Sequence, residues 1–142
     1  MKVTYENSIE YQAKLIIKKS LNRALLRKDF SHLGSYRQVS RTLKKLIEQK
    51  QLAKLGFGIY AKAYVSEYIE EPLIEDGFDV VAREVLNRIG AQWEPGSAEQ
   101  AYNSGQSQQV PTQNVVRLRS RFRRKIYYGN RKLYYEGNAN AR

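Results

Sequence analysis

Arg37, Gln38, Arg41 and Lys45 recur at intervals of one, three and four residues inside the stretch SYRQVSRTLKKLIEQK. At about 100° per residue in a helix they share one face, while Tyr36, Val39, Leu43, Leu46 and Ile47 fall on the other. An apolar stripe that seats a helix and a cationic side that faces out is the pattern of a helix entering a DNA groove. Arginine spans the O6/N7 edge of guanine with two hydrogen bonds, and glutamine does the same for adenine. Arg37, Gln38 and Arg41 are therefore candidate base readers. Ser35, a sound N-cap, and Tyr36 stand at the helix start, where backbone N–H groups favour phosphate. Lys45, further along, is a candidate phosphate contact. The competing explanation is an ordinary solvated helix face.

Two further basic sets accompany this helix. Lys54 and Lys62 lie one on each arm of QLAKLGFGIYAKA, whose Gly56-Phe57-Gly58 reads as the turn of a hairpin. Such a ribbon beside a groove-reading helix touches flanking phosphates, and Phe57 at its tip is expected to pack or to be incidentally exposed. Downstream, Arg117, Arg119, Arg121 and Arg123 alternate with Val116, Leu118, Ser120 and Phe122. Period two makes this a strand with one cationic face. Tyr127, Tyr128, Tyr134 and Tyr135 follow, so the region could track phosphates or stack single-stranded bases. It could equally be a solvated strand face that discourages edge pairing, with the tyrosines packed in a hairpin.

Composition agrees with a polyanion partner. The chain has 142 residues, 25 Lys+Arg against 14 Asp+Glu, and a formal net charge of +11. Such a charge draws polyanions and speeds association with them. Little points to bond-making chemistry. There is one histidine, His32, and no cysteine, which removes thiolate nucleophiles, thiolate metal sites and disulfides. Glu70, Glu71, Glu75, Asp76 and Asp79 cluster, but without the spacing of a calcium loop. No phosphate-binding loop or dinucleotide fingerprint occurs. The expectation is a protein that is not an enzyme and uses no cofactor or metal. No apolar run approaches the roughly 20 residues that span a bilayer. The opening MKVTYENSIEY lacks the apolar stretch of a signal peptide, so a cytoplasmic location is expected.

These side chains need elements to hold them. Residues 8–20 read as an amphipathic helix capped by Ser8, with Ile9, Ala13, Ile16 and Ile17 on its apolar side. Leu25 and Leu26 read as a short buried strand. Asp29 is placed to cap a brief helix over 30–33, which Gly34 would stop in a left-handed conformation. The helix over 35–50 and the hairpin over 52–63 complete the order helix, strand, helix, helix, ribbon. That is the order of a winged helix-turn-helix. Beyond it, 78–89 reads as a helix stopped by Gly90, Trp93 and Pro95-Gly96 as a turn, and 97–103 as a short helix. Residues 104–114 read as a polar loop. Gly129-Asn130 reads as a hairpin turn setting Ile126 opposite Leu133. The expected fold is α+β: a winged helix-turn-helix over 1–66, a small α+β region with an antiparallel hairpin or sheet over 67–137, and a disordered tail over 138–142.

The stretch from Asp29-Phe30 through Gly34-Ser35, Val39, Leu43 and Leu46 to Gly58-Ile59-Tyr60 resembles the start of the AbiEi-type antitoxins. A second similarity runs through Pro72, Ile89-Gly90, Gly96-Ser97-Ala98, Asn103, Gly105 and Ser107-Gln108-Gln109-Val110-Pro111, with Ser104 and Gln106 where that family usually carries leucines. The resemblance implies a transcriptional repressor of a type IV toxin–antitoxin or abortive-infection operon. It would bind double-stranded operator DNA at inverted repeats, as two copies or a homodimer, beside a cognate toxin. Two rival expectations stand beside it. One is a protein-binding antitoxin or adaptor anchored by Trp93 and the C-terminal tyrosines. The other is RNA binding by the Arg/Tyr strands.

Overall fold

The computed structural model describes residues 8–119 and 124–136. Ser8 starts the first helix, its hydroxyl accepting the Tyr11 N–H at 3.1 Å and so satisfying one of the donors a helix start leaves unpaired. Helix α1 is Ile9–Lys19 and strand β1 is Ala24–Leu26. Two single turns of 3-10 helix, Arg27–Asp29 and Ser31–Leu33, lead into α2, Tyr36–Glu48. Strands β2, Leu52–Gly56, and β3, Ile59–Tyr64, pair antiparallel. The chain continues through β4 (Leu73–Ile74), α3 (Phe78–Arg88), β5 (Trp93–Pro95) and α4 (Ser97–Asn103). It ends in β6 (Val115–Leu118), β7 (Tyr127–Tyr128), β8 (Arg131–Lys132) and β9 (Tyr134–Glu136). The architecture is mixed α+β with several small sheets.

The sheet ordered β1-β3-β2, with β4 also on β3, is covered on both faces. Side chains alternate along a strand, so each strand serves two cores. Leu25, Leu52 and Tyr60 face α1 and α2, meeting Ala13, Val39, Leu43 and Leu46. Ala24, Leu26, Ala53, Leu55, Ile59 and Ala61 face the other way, onto Phe78, Val81, Val85 and Leu86 of α3 and onto Val116, Ile126 and Leu133. Burial on both faces explains why β1 reads as an unbroken apolar run, Ala-Leu-Leu, rather than an alternating one. The second core draws on residues from 24 to 133 and crosses the expected boundary at 66. A second sheet, β5-β6-β9, has β6 and β9 parallel. The β7–β8 hairpin lies in the connection between them, turning at Gly129-Asn130 with Ile126 and Leu133 both buried.

Three local expectations change. Trp93 to Pro95 form strand β5, not a turn, with Pro95 opposite Val116. β5 lies at the edge of its sheet, where a residue without an N–H leaves no ladder bond unmade. Asp29 does not cap the turn at 31–33. Its carboxylate accepts the Leu26 N–H at 2.8 Å and a two-pronged contact from Arg88 of α3. Gly34 is extended, with φ 175°, rather than left-handed. A Cβ there would sit 2.7 Å from both Gln38 Oε1 and Ile9 Cδ1, so those two side-chain ends would have to move aside. Among the described residues no helix is long and apolar enough to cross a membrane.

Candidate nucleic-acid interface

Helix α2 presents the face expected of it, on a rigid base. Ser35 Oγ accepts the Gln38 N–H at 3.1 Å, and Gln38 Oε1 accepts the Ser35 N–H at 2.9 Å. This reciprocal pair is a capping box, which fixes the first turn. Val39, Leu43 and Leu46 are buried, while Arg37, Gln38, Arg41, Lys44 and Lys45 are exposed. The capping box alters the expected roles of Ser35 and Gln38. Both are exposed, but the Ser35 hydroxyl and the Gln38 carbonyl oxygen are already engaged, leaving Gln38 its amide N–H groups to offer. Tyr36 does not join the apolar stripe. It is 68% exposed, and the Arg27 guanidinium stacks 3.7 Å above its ring while donating to its carbonyl oxygen at 2.7 Å.

The remaining cations separate by whether the chain itself neutralises them. Lys45 Nζ lies 2.6 Å from Glu10 of α1, and Lys14 joins the same carboxylate at 3.0 Å. Hydrogen bonds from Lys45 and then Lys14 hold the Glu10 carboxyl down at about 2. Lys62 Nζ donates at 2.6 Å to the carbonyl of Ser20, the C-cap of α1, where cations complement the helix dipole. Lys45 and Lys62 are thus each held by α1 of the same chain, Lys45 with 57% of its side chain still exposed. By contrast, no carboxylate among the described residues pairs with Arg37, Arg41, Lys44 or Lys54. Glu48, exposed, closes the basic face at its C-terminal end.

Between α2 and the hairpin runs a groove of about 380 Å³ lined by Arg27, Tyr36, Lys44, Lys54, Phe57 and Tyr60 among others. Phe57 at the hairpin tip is 78% exposed. The tip is braced from behind: Arg124 donates to the Phe57 carbonyl, and a Cβ on Gly56 would sit 2.5 Å from the Lys125 carbonyl oxygen. Burial pushes the Tyr60 phenol up, with Arg27 opposing. Lys44 and Arg27 escaped the sequence reading. The helical wheel places Lys44 beside Arg37 and Arg41, so it was legible. Arg27 was not, because its place depends on a turn folded back over Tyr36.

The C-terminal stripe is less available than its sequence implies. Arg117 lies within 3.7 Å of Glu94 and 3.5 Å of Glu136, and Arg119 within 3.0 Å of Glu94. The acids come from the flanking strands β5 and β9, not from the stripe's own stretch. The Glu136 carboxyl is held below its usual range first by the Ser97 hydroxyl and then by the Ser97 N–H. Arg121 and Arg123 lie outside the described residues. Trp93, expected as a partner anchor, instead packs on the core and donates from its indole to Asn87 Oδ1 at 2.7 Å. Tyr128 and Tyr135 donate to the carbonyls of Pro72 and Arg124. Among the described residues no group of three His, Cys, Asp or Glu could hold a metal ion.

The chain belongs to the DUF6088 family, a family of unknown function, over residues 9–140. No curated protein and no solved structure matches it.

Proposed function

From a family without an assigned activity, we propose a DNA-binding transcriptional regulator that reads duplex DNA with α2. One observation carries this reading. Arg37, Arg41 and Lys44 stand exposed, and among the described residues without carboxylate partners, on a capped, 13-residue helix whose opposite side is buried. A chain that neutralises Lys45, Arg117 and Arg119 internally leaves these three open. Lys54, Arg27 and Phe57 border the adjacent groove. The order of α1, β1, the 3-10 turns, α2 and the β2–β3 ribbon supports a winged helix-turn-helix, with the ribbon as wing. In this reading Arg37 and Arg41 meet base edges, Gln38 and the helix start approach the backbone, and Lys44, Lys54 and Arg27 clamp phosphates. The similarity to AbiEi-type antitoxins supports a narrower form: an autorepressor of a toxin–antitoxin or phage-defence operon, acting in the cytoplasm on inverted repeats.

Fluorescence anisotropy with DNA from upstream of the gene tests this. Each phosphate neutralised adds about −0.9 to the slope of log affinity against log salt, so the three clamping cations predict a slope of about −3. Arg37→Ala with Arg41→Ala should weaken binding to the operator by at least about tenfold. Unchanged affinity removes α2 from the interface. Tighter binding to single-stranded RNA than to duplex DNA would transfer the role to the Arg/Tyr strands. A nucleotidyltransferase-like toxin encoded next door would support the antitoxin form.

A further inference from the structure

We infer that the surface formed by residues 64–80 and the β7–β8 hairpin is a two-fold interface between two copies of this chain. Tyr64, Val65, Tyr68, Ile69 and Val80 are 49%, 59%, 90%, 48% and 57% exposed, a dense run of apolar side chains facing water. Tyr64, Ile69, Leu73 and Val80 line a groove of about 690 Å³. Glu71, Asp76 and Asp79 line it, Asp76 paired with Arg23. They belong to a run, Glu67, Glu70, Glu71, Glu75, Asp76 and Asp79, that holds six of the chain's 14 acids, and no Lys or Arg occurs between Lys62 and Arg83. On a chain of charge +11 this is strong segregation, and it repels the polyanion that α2 attracts. The occupant it fits is cationic at its edges and aromatic at its centre.

That occupant lies next to the groove on the same molecule. Arg131 of the β7–β8 hairpin helps line the groove, beside Tyr128, Gly129 and Asn130. The hairpin carries Tyr127, 50% exposed, between Lys125 and Lys132, both exposed. An acidic, apolar groove therefore abuts a basic, aromatic hairpin surface. A two-fold rotation about their boundary sets each hairpin against the other copy's groove, so that one patch serves both partners. Arg131 Nη1 already lies 3.5 Å from Asp79 within one chain, so the two rows stand within ion-pair reach of each other. Burial of Tyr127 against Ile69 and Val80 supplies the apolar centre, and the charged rims set register. The surface shares no lining residue with the groove beside α2. A dimer formed this way keeps two α2 helices exposed, as two half-sites of an inverted repeat require. The inference does not rest on DNA binding, and its test contains no DNA.

Sedimentation velocity over a concentration series, at moderate salt, reads the association of the full chain. The native chain should show a reversible dimer. Glu70→Lys with Glu71→Lys, and separately Lys125→Glu with Lys132→Glu, should each weaken dimerisation by at least about tenfold, because like charges then face each other twice. All four positions are exposed, and circular dichroism confirms that each variant folds. Mixing the two variants should restore a heterodimer to within about threefold of native affinity, since every facing pair is again opposite in sign. Tyr127→Ser provides an uncharged disruption with the same expected loss. A native chain that stays monomeric overturns the inference. So do variants that dimerise normally, or a mixture that does not recover.

Discussion

Arg41 and Lys45 are four residues apart on α2, and both carry exposed cationic heads, yet the structure gives them different work. Lys45 is held by Glu10, whereas Arg41 has no acidic partner among the described residues. If α2 reads DNA as proposed, Lys45→Ala should therefore change affinity by less than about twofold, while Arg41→Ala should cost about 1–3 kcal/mol of discrimination at the base pair it meets. Parallel titrations on one operator check this; equal losses would return Lys45 to the DNA face. Helical spacing made both residues legible as basic and outward. It could not reveal that Glu10, on another helix, would reach one of them. The same carboxylate makes a pH prediction. Its folded pKa is lowered from its ordinary 4.5 to about 2, chiefly by Lys45. A depressed carboxylate contributes stability above its unfolded value and loses it as pH falls through the folded one. The difference in melting temperature between native protein and Glu10→Gln should be constant above about pH 5. It should then shrink between pH 4.5 and 2. A difference that persists at pH 2 would refute the pairing.

The elements most legible in the sequence were those whose own pattern decides them. Ser8 and Ser35 cap α1 and α2, the stripe of Val39, Leu43 and Leu46 fixes the buried side of α2, and the Gly58 turn sets the hairpin. What stayed hidden were contacts made by one element on another. Asp29 looked like a cap because it precedes Phe30 and Ser31. Its real partner, Arg88, sits at the end of α3, and a bidentate guanidinium outcompetes a single backbone N–H. Burial alone would raise the Asp29 carboxyl, but Arg88, the Leu26 N–H and Lys28 together bring it below its usual range. Both side chains of this pair are 19% exposed, so removing one partner strands a charge in a largely covered site. Arg88→Ala should lower unfolding free energy by about 2–3 kcal/mol by urea denaturation. A double-mutant cycle with Asp29→Asn should return a coupling of about 1 kcal/mol or more. A coupling near zero would make the contact incidental. Strand β5 was hidden for a related reason: Pro95 reads as a breaker unless a neighbour shows that its missing N–H would face away from the ladder.

The two-faced central sheet governs how the molecule behaves as a whole. A boundary at 66 follows from the change of composition there, because the acid-rich connection looks like a linker. The packing gives that boundary a cost. A fragment of residues 1–66 would lose Phe78, Val81, Val85, Leu86, Val116, Ile126 and Leu133, and with them the cover over Leu26, Leu55 and Ile59. It would also lose Glu84, whose carboxylate accepts the Ala24 N–H at 2.7 Å, and Arg88 beside Asp29. An apolar sheet face opened to water costs about 25 cal/mol per Å², which a domain stable by 5–15 kcal/mol cannot absorb over a whole face. The fragment is therefore expected to be unfolded or aggregated by circular dichroism. The full chain should melt in one transition, with Trp93 fluorescence and far-UV ellipticity coinciding. Leu55→Ala, central to the shared core, should shift both probes together and cost about 2–5 kcal/mol. A folded 1–66 fragment, or two separated transitions, would mean that the N-terminal half holds its shape alone and that α3 only rests against it.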